Sequence, residues 1–168
     1  MNAAGEAAKA AVVPRDRRSA ARLAAVQALY QIEIGGAGVE EVIDEFERHR
    51  RGGTGEGSFP SSADGGFFAD LVRGACERRS EVDGRVSGTL AEGWTLGRLE
   101  LLLAAVLRAG AFELLGRSDV PARVIIDEYI EVAHAFFGRG EPGFVNGVLD
   151  RLAHELREAE FAAPEDAP

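Results

Sequence analysis

The sequence predicts an all-α fold, a bundle of about six or seven helices. Three observations carry that prediction. Apolar residues recur at three- and four-residue spacing almost throughout. No segment alternates apolar and polar residues for long enough to make a strand. Glycines, prolines and N-cap residues punctuate the periodic stretches, and nothing repeats at a fixed longer period. The 168 residues suit one domain, and a composition 46% hydrophobic and 28% charged can bury a sizeable core.

Taken in order, residues 1–14 are Ala-rich, end on Pro14 and read as a disordered arm. A first helix is expected from about Asp16 to Ile34, stopped by Gly35 and Gly36. Ala20, Ala21, Ala24, Ala25 and Ala28 make it apolar nearly all round, so neighbours should surround it. A second helix follows from about Val39 to Arg50, with Val42, Ile43 and Phe46 facing inward. The stretch 52–66 holds six glycines, three serines and a proline and reads as a flexible loop. A third helix starts near Asp64 and carries Phe68, Leu71, Val72, Ala75, Val82 and Val86 at helical spacing. Thr95 can cap a segment from Leu96 to Leu115, strongly apolar at its centre, with Gly97 the point where it can break. Asp119-Val120-Pro121 places proline at the first position of the next helix, which runs to Phe137. Pro142 begins the last helix, striped by Val145, Val148, Leu149, Leu152 and Leu156. Residues 158–168 read as an acidic tail.

The net charge of −9 argues against a nucleic-acid binder, but charge is unevenly spread. Residues 15–22 hold four arginines and one aspartate, a local +3, whereas Glu40 to Glu47 holds five carboxylates. That basic end suits either a phosphate footprint or a solvated arm. Lys9 is the only lysine beside 18 arginines, and the guanidinium fork suits phosphates. The lone Cys76 excludes an intramolecular disulfide framework and fits a reducing compartment. No run is long enough to cross a bilayer, and the N-terminus lacks the apolar core of a signal peptide. A cytoplasmic protein is expected.

Enzyme motifs are missing. His49, His134 and His154 have no partner at metal-ligand spacing, so neither a metal nor a cofactor is expected. Gly138, Gly140 and Gly143 spell G-x-G-x-x-G, but they follow a helix and enclose Pro142, which defeats the dinucleotide reading. Gly52-Gly53-Thr54-Gly55 lacks the Lys-Ser/Thr of a P-loop, and Asp127-Glu128 reads as surface charge.

Three clusters remain. Arg15, Arg18 and Arg22 fall on one side of the first helix, with Gln27 and Tyr30 further along. Arginine contacts phosphates, glutamine can read a base edge, and Tyr30 suits either a stacking platform or a core aromatic. At the start of the last helix, Phe144 and Asn146 suit base contact. A close helix crossing at Gly147, with Asn146 bonding a neighbouring loop, suits the same residues equally well. Arg108 sits in an apolar helix and needs a carboxylate, with Glu113 or Asp127-Glu128 the expected partners.

Four segments occur in an order that resembles the NusB family of bacterial transcription antitermination factors. They are R-x-x-x-R-L-A-A-V-Q-A-L-Y-Q from Arg18, L-R-A-G-A-F-E-L-L from Leu107, D-V-P-A-R-V-I-I-D-E-Y-I-E-V-A from Asp119 and F-V-N-G-V-L-D from Phe144. The resemblance spans residues 15–157 and implies about seven helices in two halves of three to four each. It implies binding to boxA RNA of ribosomal RNA leader transcripts, together with NusE, a small-subunit ribosomal protein, within the elongating RNA polymerase complex. Family members also occur as dimers, so a homodimer or protein scaffold without RNA contact is the alternative. The RNA-binding residues it implies are Arg15, Arg17, Arg18, Arg22, Gln27 and Tyr30, with Glu141, Phe144 and Asn146. Asp127 and Phe112 stand where many members carry Asn and Tyr, and the loop at 52–66 is longer than common. A related domain heads some ribosomal RNA methyltransferases, but no cofactor-binding α/β region follows here, so methyl transfer is not expected.

Overall fold

The computed structural model describes residues 16–52 and 63–162; the arm at 1–14, Arg15, most of the glycine-rich stretch and the last six residues lie outside them. Every regular element among the described residues is helical. They are α1 (Arg17–Gly35), α2 (Val39–Gly52), α3 (Gly65–Glu77), α4 (Arg79–Thr89), a 3₁₀ turn (Leu96–Arg98), α5 (Leu101–Gly116), α6 (Ala122–Phe136), α7 (Glu141–Leu156) and α8 (Glu158–Phe161). None is long and apolar enough to cross a membrane.

Helices α1, α2 and α3 pack on one another as one half, and α4 to α7 form the other. The halves share a continuous core because α5 packs against α1 and α3 as well as against α4, α6 and α7. Every residue of α5 from Ala104 to Leu114 is buried, which is why its sequence is apolar all round. Gly110 on α5 is where α7 comes close: a Cβ there would lie 2.8 Å from Leu149 Cδ1. Gly74 and Gly116 both rest against the Phe112 ring. These glycines serve close approach, not turn geometry.

Local signals placed the first helix well. The Asp16 carboxylate accepts from the Ser19 N–H at 2.7 Å, and Gly36, at φ +65°, ends the helix with its N–H on the Ile32 carbonyl. Other boundaries moved. The single third helix expected through Val86 is two, divided at Arg78, where φ −101° and ψ +22° leave the helical range. The break lets Val82 and Val86 face α5 on a new axis. Only Leu96–Arg98 of the segment capped by Thr95 is 3₁₀, and Thr95 makes no side-chain cap. Glu100 instead caps α5, accepting from Leu102 and Leu103 N–H at 3.1 Å. Pro121 precedes the first turn of α6 rather than entering it.

The ends of two segments expected to be loose are packed. Ala63 is fully buried, Asp64 caps α3, and its N–H donates to the Arg17 carbonyl at 3.0 Å. Near the other terminus, Glu160 accepts from the Ala122 N–H at 2.9 Å, satisfying one of α6's unpaired donors. Arg157 donates to the carbonyls of Leu114, Arg117 and Val120 at 2.8–3.2 Å, closing the exposed C-terminus of α5.

Candidate nucleic-acid interface

The first half of the candidate surface is the N-terminal end of α1. Arg17 is exposed, and the Arg18 side chain is 43% exposed, in a loose 3.8 Å ion pair with Asp119. The Arg18 guanidinium lies 4.6 Å from the centre of the Phe67 ring, which is nearly buried at the start of α3. Arg22 and Arg117 approach the same ring at 5.0 Å each. One aromatic ring is thus approached by three cations, with the Asp119 carboxylate between Arg18 and Arg117. Arg117 is bound bidentately by Asp119 at 3.0–3.1 Å and again by Asp70 at 3.0 Å. The Arg117 guanidinium holds the Asp119 carboxyl below its ordinary pKa range.

Arg22 does not reach the surface. Its side chain turns inward and gives the buried Glu113 carboxylate three hydrogen bonds of 2.8–3.0 Å, with Glu128 at 3.7 Å on the other flank. The sequence grouped Arg22 with Arg18 on one exposed side; they do share that side, but Arg22 lies about one turn further from the helix end, in the seam where α1 meets α5 and α6. Ser19 Oγ donates to Glu128 at 2.7 Å and completes the link to α6. Burial pushes the Glu113 carboxyl up against the pull of Arg22. Tyr129 beside it is fully buried, and burial with the Glu113 charge raises its phenol well above the usual value. The partner expected for Glu113 was Arg108. Arg108 binds Asp83 of α4 instead, at 2.8 Å, because α4 packs on that side of α5.

Further along α1, Gln27 is exposed and Tyr30 is half-buried, its ring packed on the core. The core packing is thus partial, and the rest of the Tyr30 ring stays open to solvent. Tyr30 lies twelve residues beyond Arg18, about 18 Å along the helix axis. Gln31 turns aside to Glu45 of α2 at 3.2 Å.

The second half of the surface is the start of α7. Gly140, at φ +103°, turns the chain, and Pro142 is buried in the first turn. Glu141 is partly exposed, and Phe144 and Asn146 are exposed, while Val145 faces the core between them. The Asn146 side chain makes no hydrogen bond among the described residues, and a Cβ on Gly147 would meet nothing within 4 Å. The close-crossing account of these two residues therefore fails: the Asn146 side chain is exposed, and Gly147 borders open space. Asn146 joins Ile130, His134 and Arg139 around a groove of about 470 Å³. Phe144 joins Leu90, Ala91, Trp94 and Leu99 around a second, apolar notch. Arg139 and Trp94 went unnoticed in the sequence. Their only signals were a lone arginine in a glycine-rich turn and a lone tryptophan after one.

This arrangement can hold an anionic chain at the start of α1 and present planar and amide side chains at the start of α7. Its residues lie within the stretch 19–154, which matches the NusB family, except for those before Ser19. A transcription antitermination protein NusB of Maricaulis maris is 55% identical over 144 residues, covering 86% of this chain and 90% of that protein. The protein of the same name from Caulobacter vibrioides is 53% identical over 141 residues, covering 84% and 95%. Among solved structures, T. maritima NusB superposes with a TM-score of 0.70 at 33% identity, over 86% of this chain and 96% of the other.

Proposed function

The chain belongs to the NusB family, whose named relatives are transcription antitermination proteins, and from that premise we propose that it binds boxA RNA of ribosomal leader transcripts as an adaptor. The observation that supports this best is the placement of Arg18. It stands at the helix terminus, oriented by Phe67 and only loosely paired to Asp119, so a phosphate oxygen can replace that carboxylate. Arg17 and Arg15 extend the same basic end of the sequence. Arg22 positions this end from beneath and does not itself touch RNA.

Phosphates neutralised by these arginines release counterions, so binding weakens as salt rises. Gln27 and Tyr30 on α1, and Phe144 and Asn146 on α7, then contact unpaired bases by stacking and amide hydrogen bonds. Glu141 sets the acidic edge of the second group. The acidic body, net −9 overall, suits a basic protein partner, which we take to be NusE within the RNA polymerase antitermination complex. The deciding experiment compares affinity for boxA RNA and a scrambled strand, with and without NusE, across salt. Tighter boxA binding that NusE strengthens and salt weakens is expected. Equal, salt-insensitive binding to both strands would overturn the reading.

A further inference from the structure

The apolar notch beside Phe144 is built unlike the rest of the surface. Trp94 is 53% exposed and Phe144 39%, among the few large apolar side chains left in water. Both line one recess, floored by Leu90 and Leu99, yet the two rings do not stack on each other among the described ring pairs. The recess encloses about 230 Å³, less than the roughly 300–1,000 Å³ of pockets that take drug-sized ligands. It has room for one planar group and too little for a helix or strand of a partner.

The backbone holds the opening in shape. Trp94 N–H donates to the Ala91 carbonyl at 3.0 Å, and Gly93 turns the chain at φ +85°. Two guanidinium groups are anchored on backbone carbonyls next in sequence to residues that line it, Trp94 and Leu90. Arg98 donates to the Gly93 carbonyl at 2.8 Å, and Arg151 to the Thr89 carbonyl at 3.2 Å. Nearby Glu100 is held by the α5 N-terminus it caps. Two aromatic side chains around an apolar recess sized for one planar group, one of them Phe144 of the proposed RNA surface, match an unpaired base.

We propose that the Trp94–Phe144 notch is a stacking slot for one unpaired base of the bound RNA, with Trp94 as a base-contacting residue. This rests on the RNA-binding reading above and extends it from Phe144 to the loop between α4 and α5. Trp94 is the only tryptophan of the chain, so its emission reports on the slot directly.

The test uses the full chain, single-stranded boxA RNA, filter binding for affinity and Trp94 emission titrated with the same strand. Emission should change in step with binding. Trp94→Ala should weaken binding about 5- to 100-fold, the range for losing one stacked base, and Trp94→Phe should restore most of it. An abasic nucleotide at one position should weaken the wild type equally and add nothing to Trp94→Ala. RNA bound with unchanged emission and wild-type affinity of Trp94→Ala would overturn the slot while leaving the RNA reading intact. Loss of self-association in sedimentation by Trp94→Ala, with RNA affinity unchanged, would assign the notch to a second copy and also overturn it. Absence of any RNA binding by the wild type would remove both.

Discussion

Arg22 on α1 and Glu113 on α5, 91 residues apart, meet in a buried pair with three hydrogen bonds no longer than 3.0 Å. This pair fastens the basic end of α1 to the central helix. Removing one partner leaves an uncompensated charge in the core. Arg22→Ala or Glu113→Ala should each destabilise the protein by about 3–5 kcal/mol in urea denaturation. Arg22→Met with Glu113→Leu together should cost much less, since no charge is then stranded. A double variant as unstable as the singles would contradict this account.

Arg18 has the opposite character. Its Asp119 pair is exposed and long, so Arg18→Ala should change stability by less than about 1 kcal/mol. Its effect should appear in RNA binding instead. Affinity should fall for every strand, and the slope of log K against log salt should flatten by about one phosphate contact. An unchanged slope would place Arg18 outside the RNA surface.

Two glycines should respond in opposite directions to alanine. A Cβ on Gly74 has no room beside the Phe112 ring, so Gly74→Ala should cost about 1–3 kcal/mol despite alanine's better helix propensity. Phe112→Leu in the same chain should recover part of that loss. Gly147 opens on empty space within α7, so Gly147→Ala should stabilise by about 0.5–1 kcal/mol. Thermal melting of the two single variants would show either sign failing.

Acid should loosen the junction of α6 and α8. The Ala122 N–H, and then Arg157, hold the Glu160 carboxyl below the usual carboxylate range. A carboxylate with a lowered folded pKa contributes stability that is present above its unfolded pKa and lost as pH falls through the folded one. Glu160→Gln should therefore melt lower than wild type near about pH 6, and the gap should close by about pH 3. A gap independent of pH would show that the charge of Glu160 contributes nothing. Glu113, whose carboxyl burial pushes up, does not share this acid sensitivity.

Much of the fold was legible because its signals are local. Asp16 and Gly36 mark the ends of α1 by side-chain capping and a left-handed turn, chemistry complete within a few residues. The stripe Val145, Val148, Leu149 and Leu152 places the inner face of α7 by periodicity alone. The break at Arg78 was not legible, since Leu71, Val72 and Ala75 before it and Val82 and Val86 after it all keep helical spacing. For the candidate site, the sequence offered residue types but could not give their exposure. Phe144 and Asn146 are exposed as base contacts require, whereas Arg22 is not.

By itself, then, the sequence determined that this chain is helical, where most of its helices start, and that one short end is basic on an acidic body. The tertiary structure alone decided which charges meet. It gave Glu113 to Arg22 and Asp83 to Arg108, left Arg18 in water over Phe67, and set Trp94 beside Phe144. The reason is physical. Helix formation depends on neighbours a few residues away, but an ion pair or a notch depends on which helices pack together. Packing brings residues as distant as Arg22 and Glu113 within hydrogen-bond reach, and no periodicity records that distance.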